Sequence, residues 1–195
     1  MKGDVLKVGI FGKSGSGKTT VANFFEQKGF YHINLDEIGK LVPCKYPEVL
    51  AEITRVFGDG YVTGCEIDRK KLGALVFSDR SELDKLNSIF FGFIVKETLD
   101  LLEEHENCVV EGAVLIESGL NELMDRVVYT RTSHDLSVQR IMKREGISEK
   151  QAASRVSAQS KYDEMEDKSD FVIETNDSVE ELQAKIEDLF RDLNI

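Results

Sequence analysis

Five short apolar runs alternate along the chain with longer segments in which apolar residues recur every three or four positions. The apolar runs lie near residues 5–10, 30–35, 108–111, 127–130 and 171–175. Short runs that are apolar throughout are typical of strands buried on both faces, whereas a spacing of three or four is typical of helices. The alternation therefore predicts an α/β fold in which about five parallel strands form one sheet flanked by helices.

Two of the helical segments are long enough to form separate parts of the fold. Between the second and third strands, residues 43–104 predict a mostly helical insertion. Between the fourth and fifth strands, residues 134–162 predict a pair of helices, the second of which begins with a capping box from Ser148 to Gln151. No flexible linker or repeat interrupts the pattern, so we expect residues 1–195 to form a single domain.

A glycine-rich stretch joins the first strand to the first helix. Gly12 to Thr19 reads Gly-Lys-Ser-Gly-Ser-Gly-Lys-Thr and matches the phosphate-binding pattern G-x-x-x-x-G-K-[ST] at every fixed position. Glycines let consecutive N–H groups turn towards phosphate oxygens, and the start of the next helix adds the positive end of its dipole. The stretch predicts a nucleotide site in which Lys18 binds the β- and γ-phosphates and Thr19 binds Mg²⁺. The residues expected to contact ATP are Gly15, Ser16, Gly17, Lys18, Thr19 and Thr20.

Composition agrees with a compact domain and restricts its partners. Hydrophobic residues make up 41% and charged residues 31% of the chain, as in ordinary globular domains. The net charge of −11 argues against a nucleic-acid-binding surface, because such surfaces are basic. No apolar run has the length of a membrane span or the form of a signal peptide, so we expect a cytoplasmic protein without a membrane partner.

The cysteines and histidines do not have the spacing of metal ligands. The three cysteines are widely separated, so we expect reduced thiols rather than a disulfide or a zinc site. The three histidines, His32 among them, are expected to be surface or packing residues.

Charged residues gather at the ends of the predicted strands and on the helix pair. Asp36 follows the second strand and Glu111 ends the third, at the edge where open α/β sheets bind ligands. Glu111 could hold a Mg²⁺-bound water, but the pattern is equally typical of a polar residue that ends a buried strand. For Asp36, the alternative to a role in ligand binding is that of a helix N-cap. Arg140 and Arg144 share one helix face, which predicts a lid that closes over the triphosphate, although a solvated helical hairpin fits the same pattern.

A series of short motifs follows the glycine-rich loop along the chain. They are Asn34-Leu35-Asp36, Phe57-Gly58, Asp68-Arg69 with Leu72, Val114 to Glu117, Gln139-Arg140, Arg144 to Gly146, Arg155 with Gln159, and Ser169 to Ile173. In order and spacing, these motifs resemble those of the dephospho-coenzyme A kinases, which are P-loop kinases related to the nucleoside monophosphate kinases. The resemblance implies a P-loop kinase fold with a helical acceptor-binding insertion and a helical lid. It also implies a Mg²⁺-dependent enzyme that transfers the ATP γ-phosphate to the ribose 3′-hydroxyl of dephospho-coenzyme A.

The same resemblance implies roles for individual residues. Asp36 would accept the proton of the acceptor hydroxyl or orient that hydroxyl. Lys18 and the lid residue Arg140 would place positive charge on the transferred phosphate. Arg69 would bind a phosphate of the acceptor through its planar guanidinium group.

The chain departs from the family pattern at three places. Phe91-Gly92 replaces a His-Pro pair, Ala113 replaces a proline and Met165 replaces a lysine. These changes bear on the geometry of acceptor binding and of the lid rather than on the phosphate chemistry. Lys161 and Lys168 each lie within a helical turn of Met165 and are candidates to replace the missing lysine.

Two other functions stay open at this point. The stretch Val109 to Gly112 also resembles a strand of uridine kinases, which favours a nucleoside or nucleotide kinase. The missing His-Pro pair fits a nucleotide-binding regulator without turnover, although such a protein would have no need of Lys18, Asp36 and the lid arginines together. The sequence makes no prediction of oligomeric state, of donor preference among nucleotides or of contacts with a pantetheine arm.

Overall fold

The computed structural model describes residues 5–176 and 178–195, and five of its strands form one parallel sheet. In chain order the strands are β1 (Lys7–Phe11), β2 (Tyr31–Asn34), β3 (Val62–Thr63), β4 (Glu66–Ile67), β5 (Cys108–Glu111), β6 (Arg126–Arg131) and β7 (Phe171–Glu174). The sheet has the order β2-β5-β1-β6-β7, and each neighbouring pair is parallel. β3 and β4 form a separate antiparallel hairpin. The α/β class and the five-stranded parallel sheet predicted from the apolar runs are confirmed.

Helices connect the strands and cover the sheet. They are α1 (Lys18–Gln27), α2 (Leu35–Lys45), α3 (Glu48–Phe57), α4 (Arg69–Val76), α5 (Arg80–Glu104), α6 (His134–Glu145), α7 (Glu149–Ala158) and α8 (Val179–Leu193). Short 3₁₀ segments lie at Asp59–Tyr61, Leu120–Leu123 and Ser160–Lys168. Within residues 5–176 and 178–195, no helix has both the length and the apolar character needed to cross a membrane.

The two faces of the sheet bury different sets of side chains, because successive residues of a strand point to opposite sides. On one face, Val8 and Ile10 of β1 pack with α1 and α8, where the rings of Phe25 and Phe190 meet edge to face at 4.9 Å. On the other face, Phe11 packs in a cluster to which α2, α3 and α5 contribute. The glycine-rich loop begins at the carboxyl end of β1, where Ile10 packs in one cluster and Phe11 in the other.

The helical segment between β2 and β5 begins at Leu35, not at residue 43. Asn34 caps α2 by accepting a hydrogen bond from the Glu37 N–H at 3.0 Å. Pro43, the residue at which the predicted insertion starts, is buried in the last turn of α2. Proline removes one backbone hydrogen bond from a helix, and burial of its ring offsets part of that cost. The hairpin of β3 and β4 within this segment was not predicted, because strands of two residues have no detectable period.

α6 and α7 form the helix pair predicted before the last strand. They share a small apolar cluster formed by Val138, Ile141, Ala152 and Val156. The predicted capping box at Ser148 and Gln151 begins α7. The chain then continues as the 3₁₀ segment Ser160–Lys168, which leads back to the sheet.

Candidate active site

The stretch from Gly12 to Thr19 forms a tight loop between β1 and α1. Gly12 and Gly15 have φ angles of 151° and 79°, a region that favours glycine. A Cβ atom at Gly12 would lie 2.6 Å from the Thr130 carbonyl oxygen, and one at Gly15 would lie 2.7 Å from the Ser137 carbonyl oxygen. The loop is therefore packed against β6 and α6 so closely that these two positions require glycine.

Lys18 begins α1 and turns its side chain back over the loop. Its Nζ donates to the carbonyl oxygens of Gly12 and Lys13, each at 3.1 Å, and only 7% of the residue is exposed. Burial lowers the pKa of Lys18, while the carboxylates of Asp36 and Glu111 oppose that shift. The ammonium group thus lies beside the N-terminus of α1. The positive charge of Lys18 and the positive end of the helix dipole both favour the binding of an anion there.

Thr19, in the first turn of α1, is joined to Glu111 at the end of β5. The Thr19 hydroxyl donates to Glu111 Oε1 at 2.7 Å, and Asn34 Nδ2 donates to the same oxygen at 2.6 Å. Because an ionised carboxylate only accepts, the Thr19 oxygen keeps its lone pairs available for a cation. Burial acts to raise the pKa of Glu111, but its interactions with His32, Thr19 and Lys18 outweigh burial and hold the pKa below its ordinary value.

His32 is part of this cluster, which the sequence did not reveal. Its Nε2 lies 3.6 Å from Glu111 Oε1, and its Nδ1 lies 3.8 Å from Glu26 Oε2 of α1. His32 precedes Asn34 by two residues in β2, so both side chains point to the same face of the sheet. That alternation was the available signal, but it became informative only once β5 was known to lie beside β2.

Asp36 and Arg69 are both associated with α2. Asp36 is exposed in the first turn of α2, and its charge reaches Lys18 across the site. Arg69 begins α4, and its Nη2 donates to the Lys40 carbonyl oxygen of α2 at 2.9 Å. Lys40 follows Asp36 by four residues. Arg69, bound to the Lys40 carbonyl oxygen, therefore contacts α2 about one helical turn beyond Asp36.

Arg140, which was expected on a lid over the triphosphate, lies at the base of the loop. Its Nη1 donates to the Gly15 carbonyl oxygen at 3.2 Å, and its Nη2 donates to the Thr175 carbonyl oxygen at 2.6 Å. Burial lowers the pKa of Arg140, but a guanidinium group stays charged in proteins. Arg140 therefore connects the loop to the chain that follows β7 and places a positive charge beside Gly15.

Two further arginines of the helix pair meet at one carboxylate. Arg144 Nη2 and Arg155 Nη1 each lie 2.6 Å from an oxygen of Glu145. Burial is the main cause of the lowered pKa of Lys18, and the charges of Arg144 and Arg155 lower it further, so both arginines act on the loop through space. Arg155 also lies over the ring of Phe77, 4.8 Å from its centroid, which brings α7 against the end of α4.

The two lysines considered as replacements at Met165 have different surroundings. Lys161 pairs with Glu117, and its Nζ lies 3.7 Å from Asp84 Oδ1 of α5. Lys168 is exposed at the end of the 3₁₀ segment. Lys161 thus contacts two carboxylates, one in α5 and one in the loop that follows β5.

Comparison with known proteins identifies the family. A family model described as dephospho-CoA kinase matches residues 6–181. The dephospho-CoA kinase of Oceanobacillus iheyensis is 32% identical, over 97% of this chain and 98% of the relative. That of Clostridium tetani is 29% identical, over 99% of this chain and 88% of the relative.

A solved structure extends the similarity to three dimensions. The crystal structure of TT1252 from Thermus thermophilus superposes with a TM-score of 0.77 at 26% identity, covering 98% of this chain and 99% of that one. The family match spans the glycine-rich loop, the Thr19–Glu111 pair, Asp36, Arg69 and Arg140. The chain belongs to the dephospho-CoA kinase family.

Proposed function

We propose that the protein transfers the γ-phosphoryl group of ATP to the ribose 3′-hydroxyl of dephospho-coenzyme A, with Mg²⁺ as its metal cofactor. The main support is a preformed phosphate loop in which Lys18 lies beside the Thr19–Glu111 pair, in a chain of the dephospho-CoA kinase family. Phosphoryl transfer of this kind has a loose transition state, so it depends on positioning and charge neutralisation more than on covalent help.

On the donor side, the loop amides and the N-terminus of α1 would bind the β- and γ-phosphates together with Lys18. The loop residues in contact with ATP would be Gly15, Ser16, Gly17, Thr19 and Thr20. When bound, Mg²⁺ supplies charge that neutralises the phosphate oxygens. These residues are suitable ligands for Mg²⁺, which prefers oxygen ligands. The Thr19 hydroxyl uses its hydrogen in the bond to Glu111, so the lone pairs of its oxygen remain available to the ion. Thr19 would bind the ion directly and Glu111 through a water molecule.

On the acceptor side, Asp36 would act on the 3′-hydroxyl. It is exposed at the carboxyl edge of the sheet, and its charge acts on Lys18, which would hold the phosphate to be transferred. A carboxylate at that position would orient the hydroxyl and accept its proton as the new bond forms. Positive charge beside the loop from Arg140 would be most effective as charge develops on the phosphate oxygens.

The rest of the acceptor would lie along the insertion. Arg69 is exposed and held to α2 through one of its terminal nitrogens, so its guanidinium plane is oriented before a phosphate arrives. Several apolar residues of the insertion pack inward: Phe77, Phe90 and Phe93 contact the core cluster, and Ile94 is only 5% exposed. A long acceptor with a pantetheine arm would therefore use the exposed surface of the insertion, not these side chains, as its wall.

The experiment that tests this function compares acceptors with the purified protein, Mg²⁺ and ATP. Dephospho-coenzyme A should be phosphorylated with a kcat/KM far above that of uridine, cytidine or adenosine. A higher kcat/KM for a free nucleoside would favour the uridine-kinase alternative. Nucleotide binding without turnover of any acceptor would favour the regulator. The cytoplasmic location expected from the sequence stays a prediction, which fractionation of the native cells would test.

A further inference from the structure

The chain that follows α7 holds the phosphate loop at two successive residues. The Ser14 N–H donates to Gln159 Oε1 at 2.7 Å, and Lys13 Nζ donates to Asp163 Oδ2 at 2.7 Å. Asp163 also accepts a hydrogen bond from the Tyr129 hydroxyl of β6 at 2.8 Å. One set of hydrogen bonds therefore joins the loop, the sheet and the segment that leaves the second helix of the pair.

These contacts are largely shielded from water on the loop side. Gln159 is 8% exposed and the Lys13 side chain is 12% exposed, while the Asp163 side chain is half exposed. Burial and the hydrogen bond to Asp163 raise the pKa of Tyr129, so its hydroxyl stays protonated and donates. The Ser14–Gln159 hydrogen bond is itself partly buried, so water replaces the Gln159 acceptor only incompletely if that acceptor is lost. The contact is thus expected to restrain the loop.

Lys13 connects these contacts to the phosphate-binding groups. Its carbonyl oxygen accepts hydrogen bonds from Lys18 Nζ and from the Ser16 N–H, each at 3.1 Å. A shift of the Lys13 backbone would therefore move the ammonium group and one of the loop amides together. A loop that is already in its binding shape loses less conformational entropy when the nucleotide binds.

We propose that Gln159 and Asp163 are positioning residues that hold the phosphate loop ready for the triphosphate, by fixing Ser14 and Lys13 respectively. They act through the loop and do not touch the reacting atoms. Asp163 also neutralises the charge of Lys13, which leaves Lys18 as the loop lysine available to the phosphates. The proposal rests on the binding of ATP by this loop, and it does not depend on the identity of the acceptor.

Gln159→Met tests the first contact, because methionine keeps the length of glutamine but lacks a strong acceptor for the Ser14 N–H. Calorimetric titration with Mg²⁺ and ADP should show binding about five- to tenfold weaker than that of the parent, as expected for one lost hydrogen bond. Hydrogen exchange of the Ser14 amide should accelerate in the nucleotide-free variant. Gln159→Glu keeps an acceptor and should restore the protection of that amide. Gln183→Met, at an exposed position of α8, is the matched control and should behave as the parent.

Lys13→Met and Asp163→Asn, made singly and together, test the second contact in a double-mutant cycle. Each single variant should weaken ADP binding about two- to fivefold, in the range of a partly exposed ion pair, and the double variant should weaken it no further. Asp167→Asn removes an exposed carboxylate from the same segment and controls for the change in net charge.

Two results would overturn the proposal. Tighter ADP binding by Asp163→Asn would mean that Lys13 itself binds phosphate once Asp163 releases it. ADP binding by Gln159→Met within twofold of the parent, with unchanged exchange at Ser14, would mean that the loop keeps its shape without this contact. Absence of ADP binding by the parent would instead contradict the proposed function, and this inference with it.

Discussion

Glu111→Gln separates the charge at the proposed metal site from its packing. Glu111 Oε1 accepts from Thr19 at 2.7 Å and from Asn34 at 2.6 Å, and the residue is 2% exposed. Glutamine has the same shape and retains one carbonyl oxygen, so both donors keep an acceptor while the negative charge is lost. The substitution therefore changes electrostatics far more than it changes the core.

The expected loss follows from these two bonds. A hydrogen bond to a charged group contributes about 1.5–3 kcal/mol, roughly twice as much as one between neutral groups. Neutralising the acceptor of both bonds therefore removes about 2 kcal/mol in all from the interactions that orient Thr19 and the carboxylate. Since about 1.4 kcal/mol corresponds to a factor of ten, kcat/KM should fall about 30-fold, and further if the charge also holds a metal-bound water.

Initial rates measured against Mg²⁺ concentration at saturating ATP provide the assay. Glu111→Gln should need more Mg²⁺ for half of its maximal rate, and its thermal unfolding midpoint at neutral pH should fall by only about 4–8 °C, so that the variant remains folded in the assay. Glu103→Gln, at an exposed position of α5, is the control for loss of one carboxylate. A lower rate with an unchanged Mg²⁺ dependence would limit Glu111 to orienting Thr19. A rate and a Mg²⁺ dependence both within twofold of the parent would refute the proposed role.

Four further predictions concern single positions. Lys18→Ala should lower kcat by at least about a hundredfold, because it removes a charge from the transferred phosphate, and steady-state turnover beside a thermal melt checks this. Asp36→Asn should lower kcat far more than it raises the KM of either substrate; an effect confined to KM would make Asp36 a binding residue. Arg69→Ala should raise the KM for dephospho-coenzyme A with little change in ATP affinity, and Arg69→Lys should restore only part of the loss. Because the folded-state pKa of Glu111 is lowered, its ionisation stabilises the fold above about pH 4.3, and this contribution is lost as the pH falls through the folded-state pKa. The unfolding midpoint of the parent should therefore fall more steeply between about pH 5 and pH 3 than that of Glu111→Gln.

The features that were predictable from the sequence have local signals. Each apolar run, the glycine-rich loop and the capping box at Ser148 lie within windows of a few residues, so short-range rules suffice to identify them. The start of α2 was missed although Asn34 provides an N-cap, because Pro43 was taken as a boundary and its burial inside the last turn depends on tertiary packing.

The contacts of the site were less predictable, because they join residues that are far apart in the chain. Gln159 and Ser14 are separated by 145 positions, and nothing near either residue indicates the other. His32 fitted a packing residue until the strand order placed β5 beside β2. Arg140 was recognised as a residue near the phosphates, but its contact with Thr175 depends on how the chain after β7 returns to the loop.

Transfer of phosphate to the 3′-hydroxyl of dephospho-coenzyme A is tested most directly by identifying the product. The purified protein should be incubated with ATP, Mg²⁺ and dephospho-coenzyme A, and the mixture followed by phosphorus-31 NMR and mass spectrometry. We expect one new phosphomonoester resonance coupled to the ribose H3′ proton, an acceptor heavier by one phosphoryl group, and ADP in equal amount. Formation of ADP without a phosphorylated acceptor, or phosphate on any other hydroxyl, would contradict the proposed reaction.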